Sequence, residues 1–249
     1  MEITSINNDL VKESTKLQQK KYRDQSGKFL LEGYKAIKEA YDYGIEIEHI
    51  FVEKEKTTDY NFAKELVIET NSAVLKKLAT TDTAPSAVAI GKKKLYDKNI
   101  LKESQKVVLL ENIKDLGNLG TIIRTSVAFG ADAIVLYGES TDIYNPKCVR
   151  STVGNLWKIP VIHIDNFEQL KDIFDNFEKI ATLPRSNNLL KSYKTNFPAL
   201  IMFGSEADGL SDELIKFSTT SIKIEMENSV ESLNLATSTA VVLYEIFQL

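Results

Sequence analysis

Polar side chains that could take part in chemistry occur in three segments, each of which follows a predicted strand. The segments are ENIKDLGNLGTIIR at 111–124, GSEADGLS at 204–211 and EMENSVESLN at 225–234. Ligands of open α/β sheets bind beyond the carboxyl ends of the strands, where such segments lie. Amide, guanidinium, carboxylate and hydroxyl groups there could bind a polar ligand and stabilise charge that develops during a reaction. The candidate residues are Asn118, Arg124, Glu206, Ser232 and Asn234.

Each segment also has a purely structural interpretation. Asn118 could cap a helix, and Arg124 could form a surface ion pair. Gly204 would let the backbone approach a ligand closely, but the segment around it could equally be an ordinary turn between a strand and a helix. Ser232 and Asn234 open a final helix whose small and apolar residues predict burial, so they could be its polar cap.

The composition argues against several classes of site. Cys148 is the one cysteine, and His49 and His163 are the two histidines, so we expect no internal disulfide, no thiolate zinc cage and no other metal site. The glycines of the first segment match neither the dinucleotide-binding fingerprint nor the P-loop. A net charge of −4 argues against a uniformly basic nucleic-acid-binding protein, although it leaves room for a local basic patch.

The elements that position these segments predict an α/β protein with two domains in 249 residues. From Val107 onward, strands alternate with helices, which predicts about six strands in a mostly parallel sheet covered on both faces. Residues 1–95 predict a smaller α/β domain, in which 62–69 is interpreted as a short helix. Its lysine clusters, near residues 16–28 and 92–94, are either solvated surface or a phosphate-facing patch. The predicted boundaries are 1–95, a linker at 96–106, and 107–249.

Two absences bear on the location of the chain. No apolar run reaches the roughly 20 residues that a membrane helix needs. The N-terminal sequence MEITSINNDLVKES lacks the apolar core of a signal peptide. The sequence therefore predicts a cytoplasmic protein.

The three segments together, in this order, are more specific than any one of them. The pattern N-x-G-x-x-x-R, followed by GSEADGL and then by ESLNLATSTAVVLYE, resembles the SpoU (TrmH) family of RNA ribose 2′-O-methyltransferases, which belongs to the SPOUT class. The resemblance covers about residues 107–249. The stretches FLLEGYKAIKEA and TTDTAPSAVAI resemble, more weakly, the L30e-like substrate-binding domain of ribosomal-RNA members.

This resemblance implies a C-terminal α/β domain with a deep trefoil knot, S-adenosylmethionine as cofactor, and an active site at a homodimer interface. The substrate implied is structured RNA, most readily 23S ribosomal RNA. The cofactor-binding positions carried over are Gly204, Ile224, Met226, Ser232 and Leu233. The catalytic positions carried over are Asn118, Arg124, Glu206, Ser232 and Asn234, with Arg124 and Arg150 as RNA contacts.

Some questions stay open at this point. Arg124 could act as a base on the 2′-hydroxyl, or it could bind a phosphate and stabilise alkoxide charge. Glu225 stands where the family usually has a proline, Ser205 and Ala207 change the second motif, and residues 151–155 depart from the family pattern. These departures leave a catalytically inactive RNA-binding relative as an alternative. A transfer-RNA 2′-O-methyltransferase is another.

Overall fold

The computed structural model describes residues 1–227 and 232–247, and these residues form two compact units. The first unit contains Met1–Lys94 and Asp142–Trp157, and the second contains Leu95–Thr141 and Lys158–Leu249. The stretch 142–157, which the sequence analysis assigns to the C-terminal domain, thus packs with the N-terminal residues. The predicted linker contains a short helix at Ile100–Glu103.

The second unit is built on six parallel strands, which confirms the predicted α/β class and mostly parallel sheet. In chain order the strands are β5 (Lys106–Glu111), β6 (Ala133–Tyr137), β7 (Val161–Ile164), β8 (Glu178–Thr182), β9 (Ala199–Phe203) and β10 (Thr220–Ile222), and the sheet order is β10-β8-β9-β5-β6-β7. In the two central strands, the four interior residues of β5 and all five residues of β9 are buried and apolar, as expected where helices cover both faces.

The helices that follow these strands determine where the polar segments lie. In this unit they are α6 (Leu116–Ala128), α8 (Phe167–Ile173), α9 (Asp212–Phe217) and α10 (Leu235–Ile246), whereas the short α5 (Ile100–Glu103) precedes β5. Helix α6 follows β5 and α9 follows β9, so their N-terminal ends lie at the carboxyl edge of the sheet. Helix α10 packs against α6, which brings the last polar segment beside the first.

The first unit contains a four-stranded sheet of order β1-β4-β2-β3, in which β2 and β3 are parallel and the other pairs are antiparallel. Its elements are β1 (Lys28–Glu32), β2 (Ile47–Glu53), β3 (Val67–Thr70), β4 (Ala87–Lys92), α1 (Asp9–Lys16), α2 (Lys20–Ser26), α3 (Tyr34–Asp42), α4 (Ser72–Leu78) and α7 (Pro146–Ser151). The predicted helix at 62–69 is wrong. A 3₁₀ segment at Lys54–Leu66 ends there and β3 begins, because Val67 and Ile68 pair with β2.

Charged and aromatic contacts attach the 142–157 stretch to the first unit. The buried Arg23 guanidinium binds the Asp142 carboxylate at 2.7 Å and donates to two backbone carbonyl groups. The Phe29 ring lies 4.8 Å from the Tyr144 ring and 5.4 Å from the Trp157 ring. The stretch is thus part of this unit's core, although it connects two strands of the other unit.

Most of the lysines in the two N-terminal clusters are paired with carboxylates. The pairs are Lys16 with Glu13, Lys28 with Glu48, Lys92 with Glu46, and Lys93 with Asp24. Such pairing favours the solvated-surface interpretation over a concentrated phosphate-facing patch. Among the described residues, no helix is both long enough and apolar enough to cross a membrane.

Candidate functional site

The second motif forms a tight hairpin at the end of β9. The Ser205 N–H donates to the Gly209 carbonyl, and the Gly209 N–H donates back to the Ser205 carbonyl, both at 3.1 Å. A Cβ at Gly204 would lie 1.9 Å from the Gly209 carbonyl carbon, so only glycine allows the hairpin to close. The close backbone approach at Gly204 is therefore to the hairpin itself, and the hairpin places Glu206 at its tip.

Asn118, Glu206 and Asn234 form one hydrogen-bonded chain. The Asn118 Nδ2 donates to Glu206 Oε1 at 2.6 Å, and the Asn234 Nδ2 donates to Asn118 Oδ1 at 3.0 Å. Asn234 Oδ1 accepts hydrogen bonds from the backbone N–H groups of Ala236 and Thr237, so this residue also caps α10. Three of the five predicted catalytic residues thus come together from three different segments.

The structural interpretation of Asn118 as a helix cap is wrong. Asp115 is the N-cap of α6, and its side chain accepts a hydrogen bond from the Asn118 backbone N–H at 2.7 Å. The Asn118 side chain is therefore available for Glu206 and Asn234. Asp115 fixes the first turn of the helix from which Asn118 projects.

A cavity of about 630 Å³ lies next to this chain and is lined by the second and third motifs. Glu206 and Asn234 both line it, which joins the hydrogen-bonded chain to the cavity. The cofactor-binding residues predicted by resemblance also line it; they are Gly204, Ile224, Met226, Ser232 and Leu233. Apolar side chains contributed by Phe203, Leu210, Ile215, Ile222 and Val242 complete part of the wall.

The third motif is held at one wall of the cavity by a short parallel bridge. The Lys223 N–H donates to the Asn188 carbonyl and the Leu190 N–H donates to the Lys223 carbonyl, each at 2.9 Å. Glu225, which replaces the family proline, forms an ion pair with Lys191. Glu225 is not among the described residues that line the cavity, and its charge is paired with that of Lys191.

Ser232 and Arg124 lie apart from the hydrogen-bonded chain. Ser232 lines the cavity and is exposed, and it makes no hydrogen bond among residues 1–227 and 232–247. Arg124 lies on the exposed face of α6 and likewise forms no ion pair or hydrogen bond within the described part of the chain. The interpretation of Arg124 as a surface ion pair is therefore not supported within these residues.

Arg150 lies in the first unit. Its Nη1 donates to Glu32 Oε1 at 2.8 Å and to Thr80 Oγ1 at 2.6 Å. The Glu32 side chain is only 3% exposed, whereas that of Arg150 is 31% exposed. The guanidinium thus neutralises a buried carboxylate, although it retains some contact with solvent.

Two acidic groups of the site were missed by the sequence analysis. Asp115 is one, and Glu111 at the end of β5 is the other. Glu111 is 4% exposed, and its Oε2 accepts a hydrogen bond from the Ser211 N–H at 2.7 Å, just after the hairpin. The sequence signal that could have identified Glu111 was an acidic residue at the end of a predicted buried strand. Nearby, burial and a hydrogen bond to Glu213 raise the pKa of the Tyr137 hydroxyl well above its usual value.

No group of three or more His, Cys, Asp or Glu side chains within 1–227 and 232–247 is arranged to hold a metal ion. The side chains described at this edge present amide, carboxylate and hydroxyl groups beside a ligand-sized cavity. Such groups orient a ligand and stabilise charge.

Comparisons with known proteins agree with this arrangement. The model of the SpoU rRNA Methylase family matches residues 105–244, and the model of an MRM3-like substrate binding domain matches residues 8–89. An uncharacterized tRNA/rRNA methyltransferase of Synechocystis sp. is 31% identical over 98% of this chain and 92% of its own length. The 23S rRNA (guanosine(2553)-2′-O)-methyltransferase RlmP of Bacillus subtilis is 26% identical over 98% of each chain.

A solved structure extends the comparison to three dimensions. The crystal structure of an AdoMet-bound rRNA methyltransferase from Sinorhizobium meliloti has a TM-score of 0.89 and 31% sequence identity to this chain, with 98% of this chain and 96% of that chain covered. The likeness extends over both units, and the family model alone spans more than half of the sequence. The chain belongs to the SpoU rRNA methylase family.

Proposed function

We propose that the chain transfers a methyl group from S-adenosylmethionine to a ribose 2′-hydroxyl of structured RNA, with 23S ribosomal RNA as the substrate. The observation that carries the proposal is the hydrogen-bonded chain of Glu206, Asn118 and Asn234, two members of which line the cavity. The activities named for the relatives support RNA as the substrate class.

The cavity suits S-adenosylmethionine in size and in chemistry. Its volume of about 630 Å³ lies within the range of small-molecule sites. Ile224, Met226 and Leu233 offer apolar surface suited to an adenine ring, and Gly204 and Ser232 add backbone and hydroxyl groups. We assign these five residues to cofactor binding. The AdoMet-bound state of the Sinorhizobium meliloti relative supports this assignment.

Bound S-adenosylmethionine supplies an electrophilic methyl group. The residues of the chain have to hold the ribose in line with that group and stabilise the negative charge that develops on the 2′-oxygen as its proton passes to solvent. Asn118 suits the first task, because Glu206 and Asn234 fix the orientation of its amide. Arg124 suits the second, because a guanidinium stays protonated in proteins and can bind a phosphate or a developing alkoxide.

The two regions of the chain have separate tasks in this proposal. Residues 1–95, together with the 142–157 stretch that packs with them, form the RNA-binding domain, and the rest of 107–249 forms the methyltransferase domain, with 96–106 as the linker. The match of residues 8–89 to a substrate binding domain supports the first assignment. Arg150, with 31% of its side chain exposed, remains a proposed RNA contact in addition to its pairing with Glu32. A cytoplasmic location follows from the substrate, since ribosomal RNA is found there.

We propose a homodimer formed through the face made by α6 and α10. Residues spaced for one helix face are exposed on both helices: Thr121, Arg124 and Ala128 on α6, and Thr237, Val241 and Tyr244 on α10. Tyr244 is 64% exposed and Val241 39% exposed, so this face presents apolar surface that a second protomer could cover. Since Arg124 contacts none of the three network side chains in its own chain, dimerisation would complete the site.

We also propose the trefoil knot for the C-terminal domain. Strand β10 lies at one edge of the sheet, next to β8, whereas α10 packs on α6, which follows the central strand β5. These two elements are close in sequence but lie at the edge and near the centre of the sheet, which supports the proposal. Residues 228–231 lie outside the described part of the chain. A crystal structure that traces this segment is the test of the knot.

The function is tested by methyl transfer from labelled S-adenosylmethionine to 23S ribosomal RNA and to transfer RNA, followed by mapping of 2′-O-methylated nucleotides. Transfer to 23S ribosomal RNA that is lost in Asn118→Ala is the expected result. Transfer to transfer RNA alone would correct the substrate. Calorimetry that detects no cofactor binding at millimolar concentration would instead indicate an inactive RNA-binding relative.

A further inference from the structure

The first unit exposes a group of aromatic rings that the proposed chemistry does not use. Helix α3 carries Tyr34, Lys38 and Tyr41 at positions i, i+4 and i+7, which places them on one face. Tyr34 is 44% exposed and Tyr41 is 37% exposed. Phe62 lies between them, with its ring centroid 6.3 Å from that of Tyr34 and 4.9 Å from that of Tyr41. These three rings are called the aromatic platform below.

Neighbouring side chains hold the platform in one arrangement. Tyr60 is 1% exposed, and its ring lies 5.4 Å from the Tyr34 ring and 5.9 Å from the Phe62 ring. The Lys38 ammonium lies 5.2 Å from the Phe62 centroid and is bound to the Asp42 carboxylate. Tyr34 and Tyr41 both meet Phe62 edge to face, a favourable arrangement for aromatic rings. The two tyrosines are therefore pre-organised while a large part of each ring remains accessible.

We propose that the aromatic platform stacks unpaired bases of the RNA substrate. This inference rests on the proposed function and names the surface and the RNA feature that the N-terminal domain recognises. The substrate-binding match at 8–89 contains all of the rings. Aromatic side chains are the usual stacking partners of single-stranded bases, whereas duplex RNA is bound through its shape and backbone.

The charges around the platform favour stacking over phosphate contacts as the main source of binding. Lys35 is exposed beside Tyr34 and forms no ion pair or hydrogen bond within the described ranges, so it is available to a phosphate. Lys38, however, is neutralised by Asp42, and the Asp59 carboxylate lies close enough to Tyr60 to influence its ionisation. A platform with mixed charge predicts base binding that depends little on salt, because few counterions are released.

The test measures the affinity of the full-length protein for an unstructured oligoribonucleotide and for the same sequence in a duplex. Tyr34→Leu and Tyr41→Leu keep apolar cover over Phe62 but remove a stacking ring. We expect each to weaken binding of the single strand by at least about five-fold, since stacking contributes about 1–3 kcal/mol per base. Duplex binding should change by less than about two-fold. Tyr34→Phe should bind as the wild type, because stacking needs the ring and not the hydroxyl.

Tyr43→Leu is the matched control, because Tyr43 is 45% exposed at the end of the same helix but is not one of the platform rings. A fluorescent base analogue in the oligonucleotide should be quenched by the wild type and not by Tyr34→Leu. Leucine variants that bind and quench like the wild type would overturn the proposal and leave the surface for a protein partner. Binding of single strands by the platform is measured independently of methyl transfer. If the platform binds single strands but the protein has no transferase activity, the proposed function is contradicted and the platform proposal is not.

Discussion

Asn118 and Glu206, 88 residues apart in the chain, are joined by a hydrogen bond of 2.6 Å from the Asn118 amide to the Glu206 carboxylate. The Asn118 carbonyl oxygen meanwhile accepts a hydrogen bond from Asn234. A rotation of the Asn118 amide by 180° would place its oxygen against the carboxylate and its NH₂ against another NH₂. The two neighbours therefore allow one orientation of this side chain, so its amide is fixed beside two residues that line the cavity.

The isosteric substitution Asn118→Asp tests this relationship. Two carboxylates at this separation cannot both stay ionised without cost, so the pair should share a proton with a raised apparent pKa. We expect methyl transfer to fall by roughly ten-fold or more near pH 8 and to recover partly towards about pH 6, as protonation of one carboxyl restores a donor. The pH–rate profile of single turnovers is the measurement.

The double variant Asn118→Asp with Glu206→Gln is the control for that profile. It restores one amide and one carboxylate with donor and acceptor exchanged, so the dependence on pH should return towards that of the wild type. S-adenosylmethionine affinity should change by less than about three-fold in the single variant, because Asn118 does not line the cavity. A single variant whose profile runs parallel to the wild type would mean that the hydrogen bond has no part in the reaction.

The convergence of Asn118, Glu206 and Asn234 could be predicted from sequence because it depends on topology. Each residue follows a strand or opens a helix at the carboxyl edge of a parallel sheet. Such positions lie close together in any sheet of this topology, even when the packing of individual side chains differs. The placement of 142–157 could not be predicted in this way. One of its contacts with the first unit joins Arg23 to Asp142, residues that are 119 positions apart, and no local pattern encodes that pairing.

The wrong helix at 62–69 has a local cause. Phe62, Ala63 and Leu66 have a spacing that also fits a helix, but Ala63 has non-helical φ and ψ angles, and Val67 and Ile68 instead pair with β2. Tertiary pairing thus outweighed a weak local preference. The cap on α6 was misassigned for a related reason. Asp115 and Asn118 are both good capping residues, and the sequence alone does not fix which one the first turn uses.

Gly204 and Gly209 offer a matched pair of substitutions in the same hairpin. Gly204→Ala should prevent the hairpin from closing, because the added carbon would lie 1.9 Å from backbone atoms that cannot move aside cheaply. We expect a loss of about 3 kcal/mol or more in the free energy of unfolding and at least about ten-fold weaker cofactor binding. Thermal or urea unfolding and calorimetry are the measurements.

Gly209→Ala introduces the same methyl group in open space, where no atom lies within 4 Å. Its cost is backbone strain alone, since Gly209 has a φ of +70°, and about 1 kcal/mol is expected. Equal effects from the two variants would contradict the steric argument. A Gly204→Ala protein that folds normally and binds cofactor normally would show that the hairpin can open without consequence for the site.

Arg124 allows a test of the proposed dimer that does not depend on dimer strength. If each site takes Asn118 from one protomer and Arg124 from the other, a mixed dimer of Asn118→Ala and Arg124→Ala chains contains one intact site. Mixing the two inactive proteins under conditions of subunit exchange should then restore about one quarter of wild-type activity, since half of the dimers are mixed and half of their sites are intact.

Each variant mixed with itself is the control and should stay inactive. Absence of any recovery, with subunit exchange verified by differently tagged chains, would place Arg124 and Asn118 of each site in the same chain. Tyr244→Lys should meanwhile weaken the dimer in sedimentation experiments, because it puts a charge on the exposed α6–α10 face. A monomeric wild type in the same experiment would contradict the dimer itself.

Arg150 was predicted to contact RNA. Its ion pair with Glu32 predicts that replacing Arg150 also lowers the stability of the protein. Arg150→Ala would leave the Glu32 carboxylate, whose side chain is only 3% exposed, without its cation. The remaining hydrogen bonds from Thr80 and Thr81 soften that loss, and Arg150 is itself partly exposed to solvent. We therefore expect the free energy of unfolding to fall by about 1–3 kcal/mol in urea titrations.

The double variant with Glu32→Gln separates the two roles of Arg150. Removing the buried charge should recover most of the lost stability, because an amide can be satisfied by the two threonines without a cation. RNA affinity measured on the double variant then reports the phosphate contact alone, and a loss of about one unit in the salt slope would identify it. If Arg150→Ala leaves stability unchanged while RNA binding weakens, the ion pair is incidental and the phosphate contact is the sole role of this residue.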